Sequence, residues 1–469
     1  MLKLTLALTL VLADSLLAQQ PATAASSLPQ TPPVSTRYTV LLAGNTAGFQ
    51  ATSVTPDGAH LYHFEFNDRG RGPGIDSRIV LNKQAIPTQI DNTGHDYLKA
   101  PVDEHFSFSG GKANWKNSAE QGTKPLSTAA FYVSDSGAPE ELALLARALL
   151  ASPGGKLPLL PGGEAAITRR GDLKLEAGGR SLTVVQYGID GLGLSPTPVW
   201  LEPDGAFFAA LSGWWVIIRE GWESTIPALT KAQDDFSNAR AATLAKTLAR
   251  KPAGALVFVH ANLFDAETAT LLPRRTVTIK GNSIAAVGED GKVAIPTGAE
   301  VIDATGKTLM PGLWDMHVHL AENDGLLHMA AGVTSVPDGM DQHYSDSFLQ
   351  MLKMTRALYL AGIPIVAGTD GLAGFTLDRE LELYVEAGIP APKVLQLSTL
   401  GAARVMKMDQ RLGSIAPARL ADVILVDGNP ASRISDIRCV ETVVKDGVMY
   451  RSADLYHAAN VASGNPPAN

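Results

Sequence analysis

Short runs of alternating apolar and polar residues recur through the first half of the chain. Alternation with a period of two is typical of strands with one buried face, and the glycine-, proline- and aspartate-rich clusters between the runs indicate turns. Leucines at helical spacing after a proline predict one helix, at residues 139–151. The clearest runs are residues 38–42, 60–66, 78–81, 181–186 and 214–219. We therefore expect an antiparallel β-rich module over residues 37–220, whose role the sequence leaves open.

The pattern changes after this module. Residues 231–250 are rich in alanine with leucines at helical spacing, and Pro252 ends the helix that they predict. This places a helical connector at residues 222–252. Beyond it, strands are predicted at residues 254–264, 276–279, 283–287, 301–310, 332–336, 412–417, 421–426, 440–444 and 448–450. Helices are predicted at residues 325–331, 345–360, 376–388 and 392–407, and a further buried strand just before Asp370.

The N-terminus has the pattern of a targeting segment. Lys3 precedes an apolar run at residues 4–13, and Ala18 and Ala24 are the candidate cleavage points. This predicts a secretory signal peptide at residues 1–24 and a secreted or periplasmic protein. A membrane-tethering N-terminal helix is the alternative. No later run reaches the 18 consecutive apolar residues of a candidate span, so we expect no membrane span in the mature protein.

Composition narrows the function classes. The chain has 469 residues, of which 45% are hydrophobic and 18% charged, and its net charge is −8. Nothing here supplies a basic face for phosphates, so we expect no nucleic-acid partner. The one cysteine, Cys439, excludes an intrachain disulfide and a thiolate metal cluster.

Two histidines at a spacing of two are the first candidate for chemistry. His317 and His319 follow an apolar run, and on a strand such residues share a face, so both imidazoles can reach one ion. Imidazole suits zinc and similar divalent ions. Asp370, at the end of its predicted strand, could bind metal and accept a proton from water. A turn-forming Asp-Gly is the alternative for Asp370.

Several segments together resemble the amidohydrolase superfamily, in particular its imidazolonepropionase-like and prolidase-like branch. They are residues 311–320 (PGLWDMHVHL), 332–336 (GVTSV), 367–371 (AGTDG), 411–417 (RLGSIAP), 420–424 (LADVI) and 443–447 (VVKDG). The resemblance implies an α/β plus all-β fold. Residues 254–310 and 411–450 would form a composite β-sandwich flanking a TIM-like (β/α) barrel in residues 311–410. It also implies that His317, His319 and Asp370 bind metal, that Asp370 is catalytic, and that metal-activated water hydrolyses an amide or related C–N bond.

The barrel predicted by this resemblance is truncated. Asp370 follows His319 by 51 residues, whereas strands one and eight of a complete barrel are separated by about 200 residues. Strands three to seven are missing from this count, together with the ligands that the family carries on them. The remaining candidates, His328, His343 and Lys353, match none of those ligands.

Three functions of different classes follow. The first is a zinc-dependent or other metal-dependent hydrolase with at most one ion. It would act on a small molecule with an amide bond, such as a blocked amino acid, an Xaa-Pro dipeptide or a cyclic amide, with a homo-oligomer as an open alternative. The second is a non-catalytic amidohydrolase remnant that serves as a binding or scaffold protein. The third is an internally deleted pseudo-enzyme, with the junction near residues 337–341.

Overall fold

The structure is a computed structural model that describes residues 36–318, 322–335 and 348–461. For residues 348–351 it describes the backbone alone. The predicted signal peptide, His319, His343 and the predicted junction at residues 337–341 lie outside the described residues. In the part that is described, no helix is both long enough and apolar enough to span a bilayer.

The first half of the chain forms one antiparallel meander of 15 strands. Each strand pairs with its sequence neighbours, except that β8 (Gln121–Pro125) and β9 (Phe131–Tyr132) form the two edges of the sheet. In the middle of the sheet β1 (Thr36–Leu42) pairs with β15 (Trp215–Arg219), and the one parallel pair is β9 with β10 (Lys156–Leu160). The strands are β1 (Thr36–Leu42), β2 (Asn45–Val54), β3 (His60–Phe66), β4 (Gly74–Leu81), β5 (Pro87–His95), β6 (Pro101–Ser109), β7 (Lys112–Lys116), β8 (Gln121–Pro125), β9 (Phe131–Tyr132), β10 (Lys156–Leu160), β11 (Glu164–Ala177), β12 (Arg180–Asp190), β13 (Thr197–Leu201), β14 (Phe207–Ser212) and β15 (Trp215–Arg219).

One helix packs on each face of this sheet. Helix α1 (Glu141–Ala151) buries Leu144, Leu145 and Leu149 in a core with the strands on one face. Helix α2 (Ile226–Leu248) inserts Leu229 into a second core, against Trp200 and neighbours on the other face. The rest of α2 is mostly exposed, which agrees with its alanine-rich, charged sequence.

The two segments flanking the predicted barrel come together in a composite sheet of eight strands. Strand β20 (Thr308–Pro311) pairs antiparallel with β23 (Val423–Val426), which joins the segment before the barrel to the segment after it. The strands are β16 (Leu256–Asp265), β17 (Thr270–Lys280), β18 (Ser283–Glu289), β19 (Glu300–Asp303), β20 (Thr308–Pro311), β23 (Val423–Val426), β24 (Val440–Lys445) and β25 (Val448–Arg451). The predicted strand at residues 412–417 is wrong, because these residues form turns and bends.

The truncated barrel part lies between these segments. Strand β21 (Leu313–Trp314) pairs in parallel with β22 (Val333–Ser335), and these are its two strands in the residues that are described. Its helices, with the C-terminal helix of the chain, are α3 (Asp324–Ala330), α4 (Phe348–Leu360), α5 (Phe375–Glu386), α6 (Ala391–Gln396), α7 (Ala402–Val405) and α8 (Ser452–Ala458). A π-helical turn at Leu397–Gly401 joins α6 to α7, where the sequence predicted one continuous helix.

The predicted fold class is confirmed: an antiparallel β-rich module precedes a composite β domain and a truncated α/β part. The predicted strand before Asp370 is wrong. Residues 363–369 belong to no helix or strand, because among the described residues no barrel strand lies beside them to form a ladder.

Candidate functional site

The site is built on two chain segments that lie side by side. Residues 315–318 follow β21, and residues 366–370 precede α5. The amide of Met316 donates to the carbonyl of Ala367 at 2.8 Å. The amide of Asp370 donates to the carbonyl of His317 at 3.0 Å. His317 therefore lies in a bend just after its strand rather than on it, and Asp370 is held next to it.

A glycine makes this close approach possible. A Cβ at Gly368 would lie 2.8 Å from the amide nitrogen of His317 and 2.9 Å from its Cβ. Real Cβ atoms do not tolerate contacts this short, so a side chain at this position would push the two segments apart. The sequence contains this requirement in the triplet Gly-Thr-Asp, residues 368–370.

The carboxylate of Asp315 accepts hydrogen bonds from both segments and so connects them. Asp315 is completely buried, and it accepts hydrogen bonds from the amide of His317 at 3.2 Å and from the Thr369 hydroxyl at 2.9 Å. The amide of Thr369 donates to the same carboxylate at 3.1 Å. Burial raises the pKa of Asp315, and these hydrogen bonds oppose the increase because they stabilise the charged form.

His317 and Asp370 meet at the surface of this arrangement. Nε2 of His317 lies 3.6 Å from Oδ1 of Asp370, and both side chains are about a quarter exposed, at 24% and 28%. This distance is too long for a hydrogen bond. Two ligands at zinc distances around one tetrahedral ion are roughly 3.4 Å apart, so the observed spacing fits a shared ion. Asp370 takes a left-handed backbone conformation, with φ of 46°, which aspartate tolerates better than most residues.

The described part of the chain brings no other predicted site residue into this arrangement. His319 lies outside the described residues, and so does His343. Lys353 is exposed on α4. Without His319, no group of three histidine, cysteine, aspartate or glutamate side chains among the described residues is close enough to hold an ion.

His328 is a buried histidine near the site. It lies on α3 and is only 4% exposed, and burial lowers its pKa, so the ring is neutral at pH 7. Its Nδ1 has no hydrogen-bond partner within the described ranges. The nearby carboxylates of Asp315 and Asp324 oppose the pKa shift. A neutral imidazole near the Asp315 carboxylate is chemically able to accept or donate a proton, but His328 is buried, whereas the side chains of His317 and Asp370 are partly exposed.

The N-terminal module and helix α2 contact the segment that follows the two histidines. Arg170, on β11, makes a two-point ion pair with Glu322, with nitrogen–oxygen distances of 2.9 and 3.3 Å. Arg240 and Ser237, on α2, contact the same carboxylate at 3.2 and 3.0 Å. The Arg170 and Glu322 side chains are 4% and 10% exposed, so this is a buried ion pair. The Arg170 guanidinium also lies over the Phe236 ring, 4.6 Å from its centroid.

The next residue, Asn323, extends this contact. Its backbone amide donates to the Ser195 hydroxyl at 2.9 Å, and its side-chain amide donates to the carbonyl of Leu194 at 2.8 Å. Arg240 donates to its side-chain oxygen at 2.7 Å. The start of α3, five residues beyond His319, is thus held by three separate parts of the N-terminal half.

Sequence reasoning missed the residues that position the site. Asp315 stands two residues before His317, inside the motif that carried the resemblance, and Thr369 stands directly before Asp370. Their placement beside the candidate ligands was the available signal. Arg170 carries no such signal, because it lies in another module, 152 residues before its partner Glu322.

Comparison with known proteins gives a family for the C-terminal part. The model of the Amidohydrolase family matches residues 349–449. Adenine deaminase 3 of Rhizobium meliloti (strain 1021) is 25% identical over 226 residues, which cover 47% of this chain and 36% of the relative. The 5-methylthioadenosine/S-adenosylhomocysteine deaminase of Syntrophobacter fumaroxidans (strain DSM 10017 / MPOB) is 25% identical over 162 residues, covering 31% of each protein.

Solved structures give a weaker likeness. A Xaa-Pro dipeptidase with bound methionine in the active site is 16% identical, with a TM-score of 0.36, and covers 42% of this chain and 100% of its own. An amidohydrolase from Thermotoga maritima MSB8 is also 16% identical, with a TM-score of 0.32, and covers 42% of this chain and 100% of its own. This chain spans about a third of the length of the two deaminases.

Proposed function

We propose that this chain, whose C-terminal part belongs to the amidohydrolase superfamily, binds one divalent metal ion through His317, His319 and Asp370 and hydrolyses a C–N bond of a small molecule. The observation that carries the proposal is the 3.6 Å approach of His317 Nε2 to Asp370 Oδ1. Two imidazoles and one carboxylate are a complete protein ligand set for a catalytic zinc ion, which keeps its fourth position open.

The chain's own residues would divide the work as follows. A divalent ion supplies a nucleophile at neutral pH by lowering the pKa of water. Asp370 accepts the proton from the attacking water at its carboxylate and can return it to the leaving nitrogen. Asp315 and Thr369 keep His317 and Asp370 at their spacing, as hydrogen-bond partners behind metal ligands do in other sites.

The substrate class follows from the named relatives only as a proposal. Two of them are deaminases that act on adenine or adenosine derivatives, by their names. Hydrolytic deamination of a ring amine and hydrolysis of an amide both break a C–N bond with water as nucleophile. We therefore propose aromatic or cyclic amines as the first substrates to test, and blocked amino acids, Xaa-Pro dipeptides and cyclic amides as the second.

The metal content of the full chain tests this proposal first. We expect one zinc ion per chain, by elemental analysis, after purification from zinc-supplemented medium. His317→Ala and Asp370→Ala should each lose the ion. His260→Ala is the matched control, because His260 is an exposed histidine paired with Asp303, and it should keep the ion. A wild-type chain without metal would refute the proposal.

Ammonia release then tests the reaction. Wild-type protein should release ammonia from an adenine-type substrate or hydrolyse one of the amides, and His317→Ala should not. Metal-bound protein that turns over none of these substrates would instead favour the second candidate, a non-catalytic descendant that uses the site for structure or binding. The observation behind that candidate is the 51-residue distance from His319 to Asp370, too short for a complete barrel.

A secreted or periplasmic location is a further part of the proposal, and it rests on residues 1–24. N-terminal sequencing of the protein from the periplasmic fraction should begin after Ala18 or Ala24. A mature protein that still begins at Met1 would contradict it.

A further inference from the structure

A cavity of about 630 Å³ lies apart from His317 and Asp370, where three parts of the chain meet. It is bounded by the end of the connector, by strands β19, β24 and β25, and by helices α5 and α8. Cavities of this size at junctions between domains are common small-molecule sites. The lining residues that matter here are Arg250, Phe375, Asp378, Arg438, Arg451 and Tyr456.

Asp378 is the unusual group in this lining. It is 5% exposed, and its Oδ1 has no hydrogen-bond partner in the part of the chain that the structure describes. Burial raises its pKa to about 8, with Glu382 adding to the increase and Arg438 opposing it. At neutral pH the carboxyl is therefore mostly protonated and offers a hydroxyl donor. Buried polar atoms without partners are rare in folded proteins, and an absent ligand is one explanation.

The charged group in the cavity lining that is left without an ion pair among the described residues is positive. Arg438 binds Glu382 through Nε and Nη2, at 2.7 and 3.0 Å, which leaves Nη1 available. Arg250 is paired with Glu300, and Glu441 is paired with Lys307. Arg451 is exposed and forms no ion pair with any described residue. After these pairs are counted, one free guanidinium and one neutral acid remain.

The remaining wall is apolar and aromatic. The rings of Phe375 and Tyr456 lie 5.6 Å apart with a tilt of 36°. Val440 and Met449 complete this wall from the composite sheet. A ligand that fits the cavity therefore has an apolar body as well as a charged end.

We propose that this cavity binds a small organic anion, a carboxylate or a phosphate on an apolar body. The anion pairs with the Arg451 guanidinium and Nη1 of Arg438, with the Asp378 carboxyl in the same lining, and the body packs on Phe375 and Tyr456. Guanidinium groups pair well with both oxyanions, so the two sources share one chemistry. This site is independent of the proposed metal site, and each can fail without the other.

Fluorine NMR of the full chain tests the proposal with four probes of one size. Para-fluorobenzoate and para-fluorophenyl phosphate are the anions, and the tighter binder identifies the preferred oxyanion. Para-fluorobenzyl alcohol is the neutral probe and para-fluorobenzylamine the cationic one. We expect both anions to bind and the other two to bind at least about tenfold more weakly, as the loss of a charged hydrogen bond implies. No binding of either anion would overturn the proposal.

Two variants and one control variant locate the binding. Arg451→Gln should weaken anion binding by about tenfold or more, while Arg411→Gln, another exposed arginine outside the cavity, should leave it unchanged. Asp378→Asn should keep anion binding within about threefold, because an amide still donates a hydrogen bond. Binding of the amine that is lost in Asp378→Asn would show that an ionised aspartate receives a cation, and would overturn the proposal. So would anion binding that Arg451→Gln leaves unchanged.

Discussion

At the scale of single residues, Asp315 explains how the candidate site keeps its shape. A completely buried carboxylate is costly unless hydrogen bonds compensate it, and here two amides and one hydroxyl from two chain segments do so. The same bonds hold His317 and Asp370 at 3.6 Å. The sequence marks both candidate ligands, whereas this support becomes visible only in the folded chain.

Removing one of these bonds tests the support. Thr369→Val keeps the shape of the side chain but removes the hydroxyl that donates to Asp315. We expect zinc affinity, measured by competition with a chelator, to fall about tenfold, the lower end for such partners. Thr305→Val is the control, since its hydroxyl also donates to an aspartate, Asp303, but on an exposed loop. Equal affinities for the two variants would contradict the role of Asp315.

The ionisation of Asp378 predicts a pH dependence of stability. Its pKa is about 8 in the folded chain against an ordinary 3.8, so the folded chain holds a proton that the unfolded chain releases between these values. This contribution to stability is complete below pH 3.8 and is lost as the pH rises toward 8. Asp378→Asn should flatten this part of the stability curve, measured by urea unfolding from pH 5 to 9, and should be more stable than wild type at pH 8. A wild-type curve as flat as that of the variant would contradict the shift.

At the scale of elements, the segment before Asp370 shows where local pattern is insufficient. Its apolar sequence predicts a strand, but residues 363–369 form no ladder. A strand is defined by its neighbours, and here the adjacent chain is the bend at residues 315–318. By contrast, most strands of the meander pair with sequence neighbours, and alternation was sufficient to predict the β-rich module and five of its fifteen strands.

Gly368 provides the test at this scale. Gly368→Ala places a methyl group against the backbone of His317, and we expect it to lower the free energy of unfolding by about 1–3 kcal/mol and to release the metal ion. Gly325→Ala is the control, because a Cβ at this exposed position in α3 meets nothing within 4 Å. That variant should be unchanged or slightly more stable, by up to about 1 kcal/mol. Denaturant unfolding and elemental analysis measure both effects. Retention of the ion by Gly368→Ala would contradict the packing argument.

At the scale of the whole molecule, the N-terminal module and the barrel part share a buried ion pair. Arg170 and Glu322 are nearly inaccessible to water, and Ser237 and Arg240 add further contacts. Removing one partner of a buried pair leaves an uncompensated charge, which costs far more than the pair contributes. The β-rich module is therefore more than an appended domain, since it holds the start of α3.

Replacing Arg170 measures this coupling. Arg170→Met should lower the free energy of unfolding by about 3–5 kcal/mol and make the chain more sensitive to proteolysis near α3. Arg169→Met is the matched control, because Arg169 is the neighbouring arginine and pairs with Asp172 at the surface. This variant should lower the free energy of unfolding by less than about 1 kcal/mol. The double variant Arg170→Met/Glu322→Gln no longer contains the unpaired carboxylate of Glu322. It should therefore recover part of the free energy of unfolding that Arg170→Met loses. Equal effects of the two single variants would show that the ion pair does not couple the modules.

The amino-acid sequence by itself carried the resemblance to the amidohydrolase superfamily, the fold class and most helices and strands of residues 254–450, because helical spacing, alternation and short motifs are encoded in neighbouring residues. It also marked His317, His319 and Asp370 as candidate ligands through two motifs, although it placed His317 on a strand and left a strand end and a turn open for Asp370, where the structure has bends. The resemblance implied that residues 254–310 meet residues 411–450 and that His317 lies near Asp370. Only the tertiary structure decided the geometry: the pairing of β20 with β23, the 3.6 Å between His317 and Asp370, and the contact of Arg170 with Glu322. These contacts depend on packing and on charges that become paired only when water is excluded, and no local pattern records them.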